Sequence, residues 1–292
     1  MRSLEIVSDL SSEDLIDRIG LVDGVCSSTE LEDVNLTFGP NTFAPRRRWR
    51  SATDQDLVSL DLPAGGYRYW ETLGLFRIPR LFLDTVLRID AEAPRAPNGH
   101  DLDYTADCED RVRAVAAALD LWPEIVRFGP TLGMAINRQE GGEYASTPEP
   151  HDEKLKTGLH VDSWDHKPWW DRDSGSNRIS VNIGKFPRHL VFCTVPVVEI
   201  SKSTGPRREF STGLIEEFLA RRPETRVYRI RIEPGEGYIA PTENIIHDGS
   251  TFMVAGEDAQ VVVRGFLAHR SMVDPKSASD YTRIRPAMLD AA

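Results

Sequence analysis

Residues 226 to 250 run Arg226-Val227-Tyr228-Arg229-Ile230-Arg231-Ile232-Glu233-Pro234-Gly235-Glu236-Gly237-Tyr238-Ile239-Ala240-Pro241-Thr242-Glu243-Asn244-Ile245-Ile246-His247-Asp248-Gly249-Ser250. Tyr228, Ile230 and Ile232 alternate with Arg229 and Arg231, the period-two pattern of a half-buried strand. Pro234-Gly235 supplies a turn. A second short strand follows from Gly237 to Ala240, and His247 stands at the lip of a third.

The same texture extends in both directions. Short β-rich runs from Thr131 to Asn137, Gly158 to Asp162, Arg178 to Ile183, Leu190 to Val198 and Gln260 to Ala268 are separated by Gly, Pro and Asn. One helix interrupts them, with Leu214, Ile215, Phe218 and Leu219 on one face, Arg221 and Arg222 in the last turn and Pro223 after it. Upstream of about residue 130 the periodicity becomes helical. Ser11-Ser12-Glu13-Asp14 caps a run with Leu15, Ile16 and Ile19 on one face. Pro79 opens a second helix along Leu81, Phe82, Val86 and Ile89. Asp107 caps a third, with Val112, Val115, Ala116, Leu119 and Trp122 at helical spacing until Pro123. Helices first and many strands after predict one α+β domain over 1–292. In it, 1–130 is mainly helical support, 131–270 is a β-sandwich or barrel core and 271–292 is a tail.

Bulk properties exclude several function classes. The 292-residue chain has 40% hydrophobic residues and 28% charged residues, which are ordinary globular values. Mean hydropathy is -0.36, and no apolar run approaches the roughly 20 residues that span a bilayer. The first ten residues lack the basic-then-apolar order of a signal peptide, so the expected location is the cytoplasm. A net charge of -11 disfavours nucleic acid as a partner, since such binding rests on cations that neutralise phosphates. The basic run Arg46-Arg47-Arg48-Trp49-Arg50 is too short to reverse that. Cys26, Cys108 and Cys193 are odd in number and far apart, which fits free core thiols better than disulfides or a thiolate metal site.

Chemistry is sought among seven histidines. With 46 acidic residues in the chain, about one His-x-Asp/Glu pair is expected by chance, and there are two. His151-Asp152-Glu153 lies in a polar, proline-interrupted stretch expected to be a surface loop. His160-Val161-Asp162 lies in Gly158-Leu159-His160-Val161-Asp162-Ser163-Trp164, where a short strand points residues 160 and 162 to one face. With His247 as partner, two imidazoles and one carboxylate make a set of three metal ligands: His160, Asp162 and His247. Such a set leaves coordination positions open, the arrangement expected of non-haem iron(II) oxygenases.

The second half resembles the iron(II)/2-oxoglutarate-dependent dioxygenase superfamily, in its double-stranded β-helix (jelly-roll, cupin-like) form. The family pattern is His-x-Asp at the end of an early core strand, a Pro-Gly turn, a distal His and a basic residue on the next strand. It is matched by His160-Val161-Asp162, Pro234-Gly235, His247 and Arg264 in Val261-Val262-Val263-Arg264-Gly265-Phe266. The long gap before the distal His is most similar to the phytanoyl-CoA hydroxylase-like branch. The resemblance covers roughly residues 130 to 270. It implies iron(II) and 2-oxoglutarate as cofactors, dioxygen as co-substrate and oxidation, by hydroxylation above other outcomes, of a small organic, amino-acid-like or natural-product molecule. It also implies that Arg264 binds the distal carboxylate of 2-oxoglutarate, for which a planar guanidinium fork is suited. Arg264 follows His247 by 17 residues, longer than the pattern usually has, so a longer turn through Val254-Ala255-Gly256-Glu257-Asp258 is expected. Arg270 is the reserve choice. Asp162 argues against halogen transfer, because family members with that activity generally carry a small residue there.

Other features stay open. Trp164, Trp169 and Trp170 directly follow the carboxylate and form either a lid or a folded surface loop. Asn137, Arg138, Arg178, Asn182 and Lys185 face the interior or not according to strand register. His166, His189 and His269 have no second ligand at useful spacing and are expected to have surface or structural roles. Two rival functions remain: a non-haem iron oxidase independent of 2-oxoglutarate, and a non-catalytic cupin-like protein holding a metal or small ligand. Substrate identity and oligomeric state are not specified by these patterns.

Overall fold

Alternation in Arg226–Ile232 is realised as a strand that sends Tyr228, Ile230 and Ile232 into one buried cluster and Val227 into another. The Pro234-Gly235 turn follows, with Gly235 at a φ of +79, and the chain returns as Glu236–Ala240. These two strands do not pair with each other. Arg226–Ile232 belongs to a five-stranded sheet and Glu236–Ala240 to an eight-stranded one, so the turn carries the chain from sheet to sheet.

The structure is a computed structural model and describes residues 4–30, 37–59, 68–92, 106–140, 147–149, 152–203, 213–251, 256–273 and 281–286. In the eight-stranded sheet the order is Leu57–Ser59, Thr282–Pro286, Glu5–Ser8, Thr72–Arg77, Glu236–Ala240, Asn177–Asn182, Glu257–His269, Ile125–Glu140. In the five-stranded sheet it is Ile245–Ser250, Arg188–Pro196, Arg226–Ile232, Ile19–Asp23, Arg50–Ser51. Glu5–Ser8 with Thr72–Arg77 is parallel, and the other pairings in the two sheets are antiparallel.

Three apolar clusters show how the layers stack. One lies between the sheets and mixes Ile6, Leu73, Leu75, Tyr238 and Ala240 with Leu190, Phe192, Tyr228, Ile230 and Ile245. The outer face of the larger sheet, with Ile179, Val181, Val261 and Val263, packs on Phe82 and Val86 of the Arg80–Glu92 helix and Val115 of Ala106–Ala118. The outer face of the smaller sheet, with Val191, Cys193 and Val227, is covered by Ile200 of Val197–Ser203 and Leu214 and Phe218 of Leu214–Arg221. Each such side chain contributes roughly 1.5–3 kcal/mol by leaving water. Among the described residues no helix is long and apolar enough to cross a membrane.

Several expectations need correction. The described residues of 1–130 are not mainly helical: they supply Glu5–Ser8 and Thr72–Arg77 to the larger sheet and Ile19–Asp23 to the smaller one. Helix Ser12–Asp17 does form, capped by the Ser11 hydroxyl accepting from the Asp14 amide, but it ends at Arg18 and Ile19 begins a strand. Glu5–Ser8 is buried on both faces, so it has none of the alternation that marks a half-exposed strand. The Ala106–Ala118 helix begins before Asp107, which is therefore not its cap. The strand expected to reach Val198 stops at Pro196, and Val197 starts a helix. The stretch around His151, expected to be loop, contributes Pro148–Glu149 and Asp152–Lys156 to a small three-stranded sheet, while His151 itself lies outside the described residues, as does His100.

Candidate metal centre

His247 is the third residue of Ile245–Ser250 and pairs across the sheet with Phe192, whose side chain lies in the cluster between the sheets. Parity therefore directs His247 into the inter-sheet space, while its neighbour Ile246 joins the outer cluster. The expected strand from Gly158 to Asp162 is reduced to one bridge: His160 and His247 exchange backbone hydrogen bonds at 2.9 and 2.8 Å. Asp162 is tied to the same region, its amide donating to the Thr242 carbonyl at 3.1 Å. Gly158 sets the approach. Its φ is +65, and a Cβ there would lie 2.5 Å from the Phe43 carbonyl oxygen, so an L side chain is excluded twice.

These anchors bring one ligand atom each of His160, Asp162 and His247 within 4.8 Å of one another. Both Nε2 atoms lie 3.9 Å from Asp162 Oδ1. Both Nδ1 atoms are occupied: His160 Nδ1 lies 2.8 Å from the Gly158 carbonyl and His247 Nδ1 lies 3.1 Å from the Ile245 carbonyl. Donation to those carbonyls fixes the tautomer and leaves each Nε2 lone pair facing the carboxylate, the way metal-ligating imidazoles are held. Burial, with His160 alongside, pushes the pKa of His247 down to about 3, so its ring is neutral at pH 7. Burial alone would raise the Asp162 carboxyl, but the Arg178 guanidinium and the two imidazoles outweigh it and hold that pKa below the usual carboxylate range. Two imidazoles and an anionic carboxylate suit a divalent ion of the iron type.

Two arginines flank the triad. Arg178 and Arg264 sit directly opposite each other on adjacent strands, on the inward face. Arg178 Nη1 lies 3.2 Å from Asp162 Oδ2, and Nη2 donates to His247 Nε2 at 3.1 Å, with the Tyr238 hydroxyl 3.4 Å away. Sequence left the direction of Arg178 open; the register turns it onto the ligand atoms. Arg264 stacks its guanidinium 5.5 Å from the Trp164 ring, and its buried Nε has no hydrogen-bond partner among the described residues. The extra length before Arg264 is taken up partly by strand, because Glu257 and Asp258 already belong to Glu257–His269. The reserve choice, Arg270, follows that strand and donates to the Pro123 carbonyl at the surface.

A second contact escaped sequence reasoning altogether. Arg172 and Glu243, both buried, pair at 2.6 Å. Arg172 Nη1 also donates to the Asp162 carbonyl at 2.6 Å, and Glu243 accepts from the Trp164 amide at 2.7 Å. Burial raises the Glu243 pKa to about 7 against the pull of Arg172. This network clamps the segment after Asp162 to the loop before His247. Residues 71 positions apart carry no local pattern that would pair them.

The remaining candidates separate cleanly. Trp169 packs on the outer cluster under the Arg172 guanidinium, so it is structural, whereas Trp164 and Trp170 are exposed and Trp164 lies against Arg264. Asn182 donates to the Phe186 and Ile232 carbonyls at the far end of the sheets. Arg138 pairs with Glu257 at 2.8 Å, and Asn137 stands opposite Gln260. His269 is stacked 3.8 Å on Phe76 and bonded to Ser271, a packing role.

No family model matches the chain, and no curated protein matches it. Among solved structures, one similar to it is the non-haem α-ketoglutarate-dependent epimerase SnoN from nogalamycin biosynthesis. That match has 14% identity, a TM-score of 0.34 and coverage of 68% of this chain and 79% of that one. Another is the non-haem α-ketoglutarate-dependent carbocyclase SnoK from the same biosynthesis, with 10% identity, a TM-score of 0.33 and coverage of 75% and 90%. Likenesses of this size carry no inference about activity.

Proposed function

We propose that the chain is a non-haem iron(II), 2-oxoglutarate-dependent oxygenase that hydroxylates a small organic substrate in the cytoplasm, using His160, Asp162 and His247 as metal ligands. The observation that carries this reading is the convergence of two correctly presented Nε2 atoms and one carboxylate at the edge of a space between two sheets. Strand order supports a double-stranded β-helix beneath it. Ile125–Glu140, Glu257–His269, Asn177–Asn182 and Glu236–Ala240 lie side by side in one sheet. The His160 bridge, Ile245–Ser250, Arg188–Pro196 and Arg226–Ile232 lie side by side in the other.

Bound iron would supply a site for dioxygen and, with 2-oxoglutarate, the oxidising power. The chain's own residues do the rest. Asp162 offsets part of the metal charge while the two imidazoles hold it from one side. Arg264 offers a fork to the distal carboxylate of 2-oxoglutarate, its Nε unpartnered until then. Trp164 covers that guanidinium and limits water around the ion pair.

Titration of the protein with 2-oxoglutarate under nitrogen, in the presence of manganese(II), tests the assignment. Arg264→Ala is expected to weaken 2-oxoglutarate at least about tenfold while leaving manganese uptake unchanged. Unchanged 2-oxoglutarate affinity in that variant, or turnover of substrate without any keto acid, contradicts it.

A further inference from the structure

We propose that Arg178 is the recognition residue for the substrate of this site and that the substrate is a small apolar molecule bearing one carboxylate. This rests on the oxygenase reading and extends it.

Charge comes first. Among the described residues Asp162 is the one carboxylate within ion-pair distance of Arg178 or Arg264 at this end of the inter-sheet space, Glu243 being turned to Arg172. A divalent metal and the 2-oxoglutarate dianion cancel in charge, so two guanidinium groups still stand against one aspartate. One positive charge is left over in a largely desolvated place, which is costly unless an anion answers it. A singly charged group balances the account, whereas a phosphate dianion overshoots.

Geometry then assigns the excess to Arg178. Its Nη2 donates to His247 Nε2, the lone pair a metal would take. Metal binding removes that acceptor and leaves Nη2 with the long 3.4 Å hydrogen bond to the Tyr238 hydroxyl. Arg178 cannot simply withdraw, since it lies on a strand bonded on both sides, to Glu236–Ala240 and to Glu257–His269. Its side chain is 19% exposed, so an incoming ligand can reach it. The apolar surface open to a ligand beside these arginines is the exposed Trp164 ring against Arg264, which favours a hydrophobic acid over a polar one.

The test compares acids with their isosteric amides: phenylacetate with phenylacetamide, 3-phenylpropionate with its amide, and octanoate with octanamide. Binding is measured by calorimetry to manganese(II)-loaded protein saturated with 2-oxoglutarate under nitrogen. The expected result is that at least one acid binds about tenfold more tightly than its amide. Arg178→Gln should erase that preference and Arg178→Lys should retain part of it, both variants keeping manganese and 2-oxoglutarate. The proposal is overturned if no acid is preferred in the wild type, or if the preference survives in Arg178→Gln. It is equally overturned if Arg178→Gln loses 2-oxoglutarate while holding manganese, which would assign Arg178 to the co-substrate. A wild type that takes up manganese but no 2-oxoglutarate overturns the oxygenase reading along with it, and the separate co-substrate titration identifies that case.

Discussion

Two buried polar groups lie between the same two sheets, and they differ in whether their partners are closed. At the far end Arg188 Nε lies 3.4 Å from Asp258, an ion pair without a hydrogen bond, while Arg188 Nη1 donates to Ser180, Ser180 donates to Gln260, and Asn182 ties two carbonyls. Arg188 and Asp258 are both almost fully buried, and their charges answer each other. At the metal end three ligand atoms converge beside Arg178, which donates to His247 Nε2 and pairs with Asp162, while Arg264 has no ion pair among the described residues, so one aspartate faces two arginines. Closed polar burial holds the sheets in register. On the proposed reading, open polar burial in the same space is where groups from outside are received.

Arg188→Ala should produce the largest loss of stability, because it removes the buried arginine whose charge answers Asp258: about 3–5 kcal/mol in denaturant unfolding. Whatever folded protein remains should still take up metal. Arg264→Ala is the matched substitution at the open end and should cost under about 1 kcal/mol, since no carboxylate among the described residues depends on it. Equal losses for the two arginines would break the distinction between the ends.

Gly158→Ala should fall between them, at about 2 kcal/mol, from a disfavoured backbone conformation and the clash with the Phe43 carbonyl. Its accompanying effect is weaker iron uptake, since it displaces His160. A smaller contribution comes from Asp56, held by a bidentate Arg50 at 2.7 and 2.8 Å and by Thr53. The Arg50 hydrogen bonds, with those from Thr53, outweigh burial and depress the Asp56 pKa. Its stabilisation is therefore fully present above the unfolded value near 4 and lost as pH falls below it. Asp56→Asn should cost about 1 kcal/mol at pH 7, discounted because Arg50 is half-exposed, and the gap from wild type should shrink toward pH 3. Trp170→Ala should be nearly silent, within about 0.5 kcal/mol, as expected of an exposed side chain.

How far the site was legible follows from locality. His160 and Asp162 are two residues apart, so their common direction could be read directly, and Tyr228, Ile230 and Ile232 announced a strand by alternation alone. Arg178 could not be placed, because a one-residue slip in register would have turned it outward. The Arg172–Glu243 clamp depends on two distant loops meeting, which no window of sequence contains. Strand Glu5–Ser8 was missed because burial on both faces erases the alternation by which strands are recognised, and Ile19 was assigned to a helix because Leu15 and Ile16 precede it at helical spacing.

The account stands or falls on a metal bound by His160, Asp162 and His247. Anaerobic titration with iron(II) and 2-oxoglutarate, followed by visible absorbance, measures it most directly. Wild-type protein should develop a charge-transfer band that saturates at one iron per chain, and His247→Ala should develop none. A band of undiminished intensity in His247→Ala, or no band in the wild type, would contradict the account.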